Sequence, residues 1–240
     1  MTVSDALLKI ENLSVYYSDF IAVEDVSLSV GKGQIISLIG LNGAGKTTLM
    51  SAVAGLKKPS SGKVFFEDKD ITAASPDKIV SCGLSLIPQG GRCFNRMSVQ
   101  DNLLMGSFPK NARKSAKETL EHIYDLFPVL KEKKKEPAGS LSGGQRQMVA
   151  IGRALMAHPK CLIFDEISLG LSPAVIKDIY NRIKAINEQD QTAIILIEQD
   201  TQRALKMSDE FYIMLKGKIA LNGNSSDTDA ETIKEAYFGI

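Results

Sequence analysis

Gly40-Leu41-Asn42-Gly43-Ala44-Gly45-Lys46-Thr47 is the stretch on which the prediction of the fold depends. It consists of a glycine, four residues and then Gly-Lys-Thr, which is the form of a phosphate-binding loop. The apolar residues 34–39 before it predict a buried strand, and residues 48–54 after it predict the start of a helix. A loop between a strand and a helix is the context in which this pattern has its meaning.

The residue types of this loop suit a bound anion. Glycines let the loop curl so that backbone N–H groups point inward, and the following helix adds unpaired N–H groups and the positive end of its dipole. Lys46 would bring a mobile charge to the outer phosphates, and the Thr47 hydroxyl would bind Mg²⁺, which prefers oxygen ligands. The alternative is a glycine-rich turn that carries Gly-Lys-Thr by chance.

The composition is that of an ordinary globular protein. A chain of 240 residues suits one large domain, or one domain with a subdomain, and its net charge of +1 argues neither for nor against nucleic acid. Cys82, Cys93 and Cys161 lack the spacing of a metal site or a disulfide framework, which fits a reducing cytosol, and Cys161 is expected in the core. The sequence shows neither a signal peptide nor a run of about 20 apolar residues, so any membrane link is expected to come through a partner.

The rest of the chain alternates strand and helix patterns. Residues 7–17 and 23–30 are predicted to form antiparallel strands joined by a turn at Ser18 and Asp19. Further strands are predicted at residues 63–67, 84–88, 161–166, 191–197, 211–215 and 218–222, and helices at residues 76–81, 172–188 and 201–207. The tail from residue 225 is predicted to be polar and then weakly helical.

Residues 98–158 differ from their surroundings because every pattern in them is helical. Helices are predicted at residues 99–105, 112–126 and 144–156, and the Lys and Glu run at 131–136 is expected to be a solvated helix end or a loop. We therefore predict a helical subdomain at 98–156, a core formed by 1–97 and 157–222, and a tail at 223–240.

Aromatic and amide side chains near the ends of two strands leave alternatives open. Tyr16 and Tyr17 could be edge aromatics, or one of them could offer a flat face to a nucleotide base. Gln89, which follows the strand at 84–88, could cap that strand or bring its amide to a metal ion or water. The residues alone do not decide between these possibilities.

The sequence Leu141-Ser142-Gly143-Gly144-Gln145 precedes an amphipathic helix. Ser142 suits the N-cap position, and the two glycines expose backbone N–H groups. The segment is thus either a second anion-binding helix start or only a capped helix with a glycine turn.

Two acids follow the apolar run Cys161-Leu162-Ile163-Phe164. The carboxyl ends of parallel strands face the ligand crevice, so Asp165 is expected to hold Mg²⁺ and Glu166 to orient or deprotonate a water molecule. A polar turn is the alternative.

Together these features resemble the ATP-binding-cassette ATPases over nearly the full chain. Walker A (40–47), the signature (141–145) and Walker B (161–166) occur in the order and spacing of that family, and the signature separates it from other phosphate-loop proteins. The resemblance implies an α/β fold of the P-loop NTPase type, with an antiparallel β layer and a helical subdomain.

The resemblance also implies a site that two cassettes share. In the family, each ATP lies between the Walker A of one cassette and the signature of the other. The implied nucleotide-binding residues are Tyr17, Asn42, Gly43, Ala44, Gly45, Lys46, Thr47, Thr48, Ser142, Gly143, Gly144 and Gln145. The implied metal-binding residues are Thr47, Gln89 and Asp165, and the implied catalytic residues are Glu166, Gln89, Lys46 and Gln199.

Within the family, residues 147–156, 168–173 and 197–199 most resemble an ATPase subunit of branched-chain amino acid importers. This implies ATP hydrolysis with Mg²⁺ at the cytoplasmic face of the inner membrane. The implied partners are permease subunits, a second cassette and, indirectly, a solute-binding protein, but no nucleic acid. A permease helix would dock near 89–97 and the helical subdomain. Phe94 and Met97 are either apolar contacts of that helix or core residues. Importers of urea or amides, exporters and soluble cassettes are the alternatives.

The chain departs from the family pattern at three positions. Gln199 stands where the family usually has His, Ile167 where it has Pro, and Ser172 where it has Asp. At a fourth position, the branched-chain group often carries Glu where this chain has Gln89, the residue general to the family.

Overall fold

Two β-sheets organise the computed structural model, which describes residues 6–229, 231 and 233. Its strands are β1 (Ala6–Tyr17), β2 (Phe20–Gly31), β3 (Ile35–Ile39), β4 (Ser61–Phe66), β5 (Lys69–Asp70), β6 (Leu84–Ile87), β7 (Cys161–Asp165), β8 (Ala193–Glu198), β9 (Glu210–Leu215) and β10 (Lys218–Asn224). Its α-helices are α1 (Lys46–Val53), α2 (Pro76–Cys82), α3 (Val99–Leu104), α4 (Lys110–Arg113), α5 (Ala116–Leu126), α6 (Pro128–Glu132), α7 (Gly143–Leu155), α8 (Pro173–Asp190) and α9 (Thr201–Met207).

The first sheet is antiparallel and has the order β2-β1-β4-β5. Its two long strands are joined at Ser18 and Asp19, so that Tyr17 at the end of β1 pairs directly with Phe20 at the start of β2. The predicted hairpin and its turn are therefore confirmed.

The second sheet has the order β10-β9-β3-β8-β7-β6, and all of its neighbouring strands are parallel except β9 and β10. The carboxyl ends of β3, β8 and β7 therefore lie side by side at one edge. Ile39 pairs with Glu198, and Asp165 pairs with Ile197. Since ligands of such sheets bind beyond the carboxyl ends of the strands, this edge is where a site is expected.

Each face of the second sheet is buried against a different layer. Along β8, Ile195 and Ile197 join the apolar core shared with the antiparallel sheet. Ile194 and Leu196 join a second core shared with α3 and α5 to α8. Successive side chains of a strand point to opposite faces, so the continuous apolar run of β8 supplies both cores.

Residues 98–156 contain helices and 3₁₀ turns, with a single bridge between Ser98 and Pro137 as the only β pairing described there. The prediction of one helix over 112–126 is wrong, because α4 ends at Arg113 and α5 begins at Ala116. Ser115 lies between them, and its hydroxyl is 3.4 Å from the Ala112 carbonyl oxygen and 2.9 Å from His158 Nε2. Such local and tertiary bonds of serine compete with the helical pattern.

The predicted α/β fold with an antiparallel layer is confirmed. The division into core, helical subdomain and tail stays a prediction. Of the tail at 223–240, the structure describes the end of β10, a 3₁₀ turn at Ser225–Asp227 and a few further residues. The predicted weak helix of the tail therefore falls largely outside the described residues.

Candidate functional site

Helix α1 begins directly after β3 and its glycine-rich loop. Gly45 occupies the N-cap position with φ of 104°, in the left-handed region. A Cβ at this position would lie 2.4 Å from the Ala22 carbonyl oxygen and 2.8 Å from Met214 Cε. Only glycine therefore combines this backbone turn with the close approach of its neighbours.

Lys46 is buried inside the loop that precedes it. Its Nζ donates to the carbonyl oxygens of Gly40 at 2.8 Å and Leu41 at 3.0 Å. It also forms an ion pair with Glu166 Oε1 at 3.1 Å. The ammonium group is thus held by partners at the mouth of the loop, and its charge compensates a carboxylate that is itself only 11% exposed.

Thr47 and Asp165 meet across the two neighbouring loops. The Thr47 hydroxyl donates to Asp165 Oδ1 at 3.1 Å. Burial raises the pKa of the Asp165 carboxyl above its usual value of 3.8, while the hydrogen bond from Thr47 opposes that rise. A hydroxyl and a carboxylate side by side are hard oxygen donors, and one such pair together with phosphate oxygens fits Mg²⁺.

Glu166 follows β7 with φ of 46°, a left-handed conformation that is unusual for glutamate. Its backbone N–H donates to the Ile197 carbonyl at 3.2 Å, and its Oε2 accepts from Gln89 Nε2 at 3.3 Å. The Gln89 amide therefore contacts Glu166, which favours the second of the two alternatives for this residue.

Gln199 joins the end of β8 to the phosphate loop. Its Nε2 donates to Asn42 Oδ1 at 2.9 Å. The backbone one residue earlier makes a second link, in which the Gly40 N–H donates to the Glu198 carbonyl at 3.3 Å. The three loops after β3, β7 and β8 are thus connected by hydrogen bonds.

These loops border a cleft of about 370 Å³. Its lining consists of Tyr17, Phe20, Ala22, residues 42–48, Gln89 and Glu166. Of the two tyrosines, Tyr17 lines the cleft and Tyr16 does not. The predictions missed Phe20, which is 67% exposed. Its position across the hairpin from Tyr17 is the signal that could have identified it.

The signature segment forms the start of α7. The Ser142 hydroxyl accepts from the Gln145 N–H at 3.3 Å, and Gln145 Oε1 accepts from the Ser142 N–H at 3.0 Å, which completes a capping box. Among the residues that line the cleft, none belongs to 142–145. A single chain therefore does not bring the two predicted anion-binding helix starts to one site.

The structure shows what surrounds two of the residues that depart from the family pattern. Ile167 is 2% exposed and packs in the second core. Ser172 occupies the N-cap position of α8 without a side-chain hydrogen bond to that helix. The turn after Glu166 is thus anchored by burial of an apolar side chain.

The comparison with known families decides what kind of site this is. Residues 23–168, more than half of the chain, match the ABC transporter family. The chain belongs to the ABC transporter family. It is 37% identical to the high-affinity branched-chain amino acid transport ATP-binding protein BraG of Pseudomonas aeruginosa, over 97% of this chain and 100% of BraG.

A second relative and a solved structure agree with this assignment. The chain is 33% identical to the probable branched-chain amino acid transport ATP-binding protein LivF of Archaeoglobus fulgidus, over 98% of this chain and 99% of the relative. The crystal structure of the ADP conformation of an ATP-binding cassette of an ABC transporter superposes with a TM-score of 0.82 at 31% identity, over 98% and 99% of the two chains.

The chain is therefore an ABC ATPase, and the cleft at the ends of β3 and β7 is its candidate ATP site. No helix in the described part of the chain has the length and apolar character that crossing a bilayer requires.

Proposed function

We propose that this ABC ATPase powers the import of branched-chain amino acids across a bacterial inner membrane. The full-length similarity to BraG and LivF supports the substrate class. The observation that carries the catalytic proposal is the joint placement of Lys46, Glu166 and Gln89, which meet through contacts of 3.1 and 3.3 Å.

ATP would bind in the cleft with its phosphates at the start of α1. The backbone N–H groups of residues 43–48 and the Lys46 ammonium would hold the phosphates, since both are positive groups around one anion site. Asn42 lies at the mouth of this loop. The Tyr17 ring, which lines the cleft and is 47% exposed, would stack on the base.

Mg²⁺ would be held by the Thr47 hydroxyl and the Asp165 carboxylate, with the Gln89 amide close by. When bound, the ion would neutralise charge on the phosphate oxygens. The Thr47 hydroxyl would then bind the ion instead of donating to Asp165. Burial raises the pKa of the Asp165 carboxyl, but the positive charge of the bound ion would keep this carboxyl ionised.

Glu166 would orient the attacking water and accept its proton. In the structure it pairs with Lys46, so binding of phosphates would draw the ammonium group away and leave the carboxylate with the Gln89 amide. Gln199 would take part in hydrolysis at the phosphate loop, where its side chain already donates a hydrogen bond to Asn42. These assignments give Lys46, Glu166 and Gln89 complementary roles in hydrolysis.

The signature would act in a second cassette. Residues 142–145 lie outside the lining of their own chain's cleft, and they start a helix of 13 residues with Gly143 exposed to solvent. We propose that Ser142, Gly143, Gly144 and Gln145 contact the outer phosphate of an ATP molecule bound to the partner cassette.

A permease would dock at a groove beside the loop that carries Gln89. This groove has a volume of about 460 Å³ and is lined by exposed apolar side chains, among them Phe94, Met105 and Phe108, with Arg92 and Arg153 beside them. Met97 is not part of that lining. A permease seated there would hold the cassette peripherally at the cytoplasmic face of the membrane, and a solute-binding protein would act on the permease from the other side.

The catalytic assignment is tested by Glu166→Gln. The variant should bind ATP with nearly unchanged affinity but hydrolyse it at least 100-fold more slowly, because the base is lost and the shape is kept. Glu188→Gln, at a surface position on α8, is the matched control. Near-normal turnover of Glu166→Gln would remove Glu166 from this role.

The substrate assignment is tested with the complex that co-purifies with this chain. Reconstituted in liposomes with the solute-binding protein, it should take up labelled leucine in an ATP-dependent way and should not take up urea. Uptake of urea alone, export without a binding protein, or co-purification with ribosomes instead of a permease would each contradict the proposal.

A further inference from the structure

The end of β8 contacts both halves of the proposed catalytic site. The Ile197 carbonyl accepts from the backbone of Glu166 at 3.2 Å, and the Glu198 carbonyl accepts from the backbone of Gly40 at 3.3 Å. Gln199, the next residue, bonds to the phosphate loop through its side chain. A shift of this short segment would therefore move the proposed base and the phosphate loop relative to each other.

The Glu198 side chain is buried and does not line the cleft. It is 2% exposed, and its partners come from three different elements. The Tyr180 hydroxyl on α8 donates to Oε1, the Ser168 hydroxyl in the loop after Glu166 donates to Oε2 at 3.2 Å, and Arg203 on α9 lies 3.8 Å from Oε2. Every partner offers a donor, as an ionised carboxylate requires.

A buried carboxylate is a costly choice for a core position. An apolar side chain of similar volume would avoid the loss of hydration, and the neighbours of Glu198 along β8 are apolar. The carboxylate instead provides specific hydrogen bonds, because its two oxygens accept from hydroxyl groups of separate elements and so fix the positions of those elements. Arg203 is itself held by Asp200 at 3.0 Å, so the start of α9 belongs to the same network.

We propose that Glu198 is a positioning residue for hydrolysis, which through Ser168 and Tyr180 holds the loop at 168–171 in register with Glu166 and Gln199. The inference rests on the function proposed above, because it takes Glu166 and Gln199 as parts of the site. It goes beyond that function by assigning a role to the buried Glu198 and Tyr180 and the partly buried Ser168, none of which lines the candidate ATP cleft.

The network should therefore affect turnover and leave ATP binding intact. Tyr180→Phe removes a single hydroxyl, and Ser168→Ala removes the other. For each variant we expect kcat to fall about tenfold, which corresponds to the loss of one hydrogen bond to a charged group. The KM for ATP should stay within about twofold. Tyr124→Phe is the matched control, since Tyr124 is equally buried and its hydroxyl bonds only to the neutral Gln100 side chain at 3.4 Å.

The loop itself supplies a readout that does not depend on catalysis. Leu169 is 62% exposed, so a spin label at Leu169→Cys, with Cys82 and Cys93 replaced by serine, reports the motion of the loop. The label should become more mobile in Tyr180→Phe and in Glu198→Gln, and should not change in Tyr124→Phe. A double variant of Tyr180 and Glu198 should cost less in kcat than the two single costs combined, because both belong to one network.

Three outcomes would overturn the inference. They are an unchanged kcat in both Tyr180→Phe and Ser168→Ala, a raised KM with kcat retained, or a label mobility that is the same in every variant as in the parent chain. Should Glu198→Gln fail to fold, Tyr180→Phe and Ser168→Ala still decide. Failure of the proposed function would be seen separately, as normal turnover in Glu166→Gln, and would not affect the label measurement.

Discussion

Lys46 and Glu166 compensate each other's charge at the start of α1. Removing either would leave a largely buried charge without its partner, which is a strongly unfavourable change. In the proposed mechanism the same pair would connect ATP binding with hydrolysis, since phosphates that attract the ammonium group would release the carboxylate. At this scale, the proposed function depends on a few contacts at the ends of two strands.

The first prediction concerns nucleotide affinity. Lys46→Ala removes the buried charge at the phosphate site and should weaken ATP binding by at least tenfold, the size expected for loss of a hydrogen bond to a charged group. Calorimetric titration with MgATP would measure it. Lys184→Ala on the exposed side of α8 is the control, and an unchanged dissociation constant in Lys46→Ala would contradict the phosphate-site assignment.

The second prediction concerns the pH dependence of stability. Burial raises the pKa of the Glu198 carboxyl above its usual value of 4.5, although hydrogen bonds from Tyr180 and Ser168 oppose the rise. The folded state therefore binds the proton of the Glu198 carboxyl more tightly than the unfolded chain does. The contribution of this proton to the free energy of unfolding is complete below pH 4.5 and is lost as the pH rises through the pKa of the folded state.

Glu198→Gln cannot lose that proton. The free energy of unfolding of this variant, relative to that of the parent chain, should therefore increase as the pH rises above 4.5, measured by urea denaturation at several pH values. Parallel curves for the two proteins, or a gain toward low pH, would contradict the raised pKa.

At the scale of elements, local signals explain which predictions were correct. The apolar run of β3, the turn between β1 and β2 and the cap at Ser142 each depend on a few neighbouring residues, and the structure has all three. The break at Ser115 was missed because it depends on contact with His158, which is 43 residues away. The network around Glu198 was missed for the same reason, since its partners are distant in sequence.

Contacts between residues that are distant in sequence also limited the prediction of the site. The motifs identified Lys46, Asp165 and Glu166, because strand order places the ends of β3 and β7 near each other in such sheets. The residues alone left Tyr16 and Tyr17 open, and only the family resemblance implied Tyr17. The place of Phe20 in the cleft lining required the register of the hairpin.

The third prediction belongs to the contact between α7 and α8. A Cβ on Gly144 would lie 2.4 Å from Val175 Cγ1, whereas a Cβ on Gly143 would meet only Leu171 Cδ2 at 3.4 Å. Gly144→Ala should therefore lower the free energy of unfolding by about 1–3 kcal/mol through overpacking. Gly143→Ala should leave it unchanged or raise it slightly, since alanine favours helix. Equal effects of both variants in urea denaturation would contradict this packing.

For the complete chain, the two predicted anion-binding helix starts lie at separate places. The start of α1 borders the candidate ATP cleft, and the start of α7 does not. An ABC ATPase that uses both therefore needs a second cassette to close its site. The proposed role of the signature depends on this shared site.

Sedimentation of the Glu166→Gln variant with saturating MgATP tests this claim most directly. The account predicts that the variant, alone or with the cassette that co-purifies with it, forms a stable pair of cassettes. The pair should dissociate on removal of ATP and should be lost when Ser142→Arg blocks the start of α7. A variant that binds ATP with full affinity and still sediments as a 26.1 kDa single chain in both settings would contradict it.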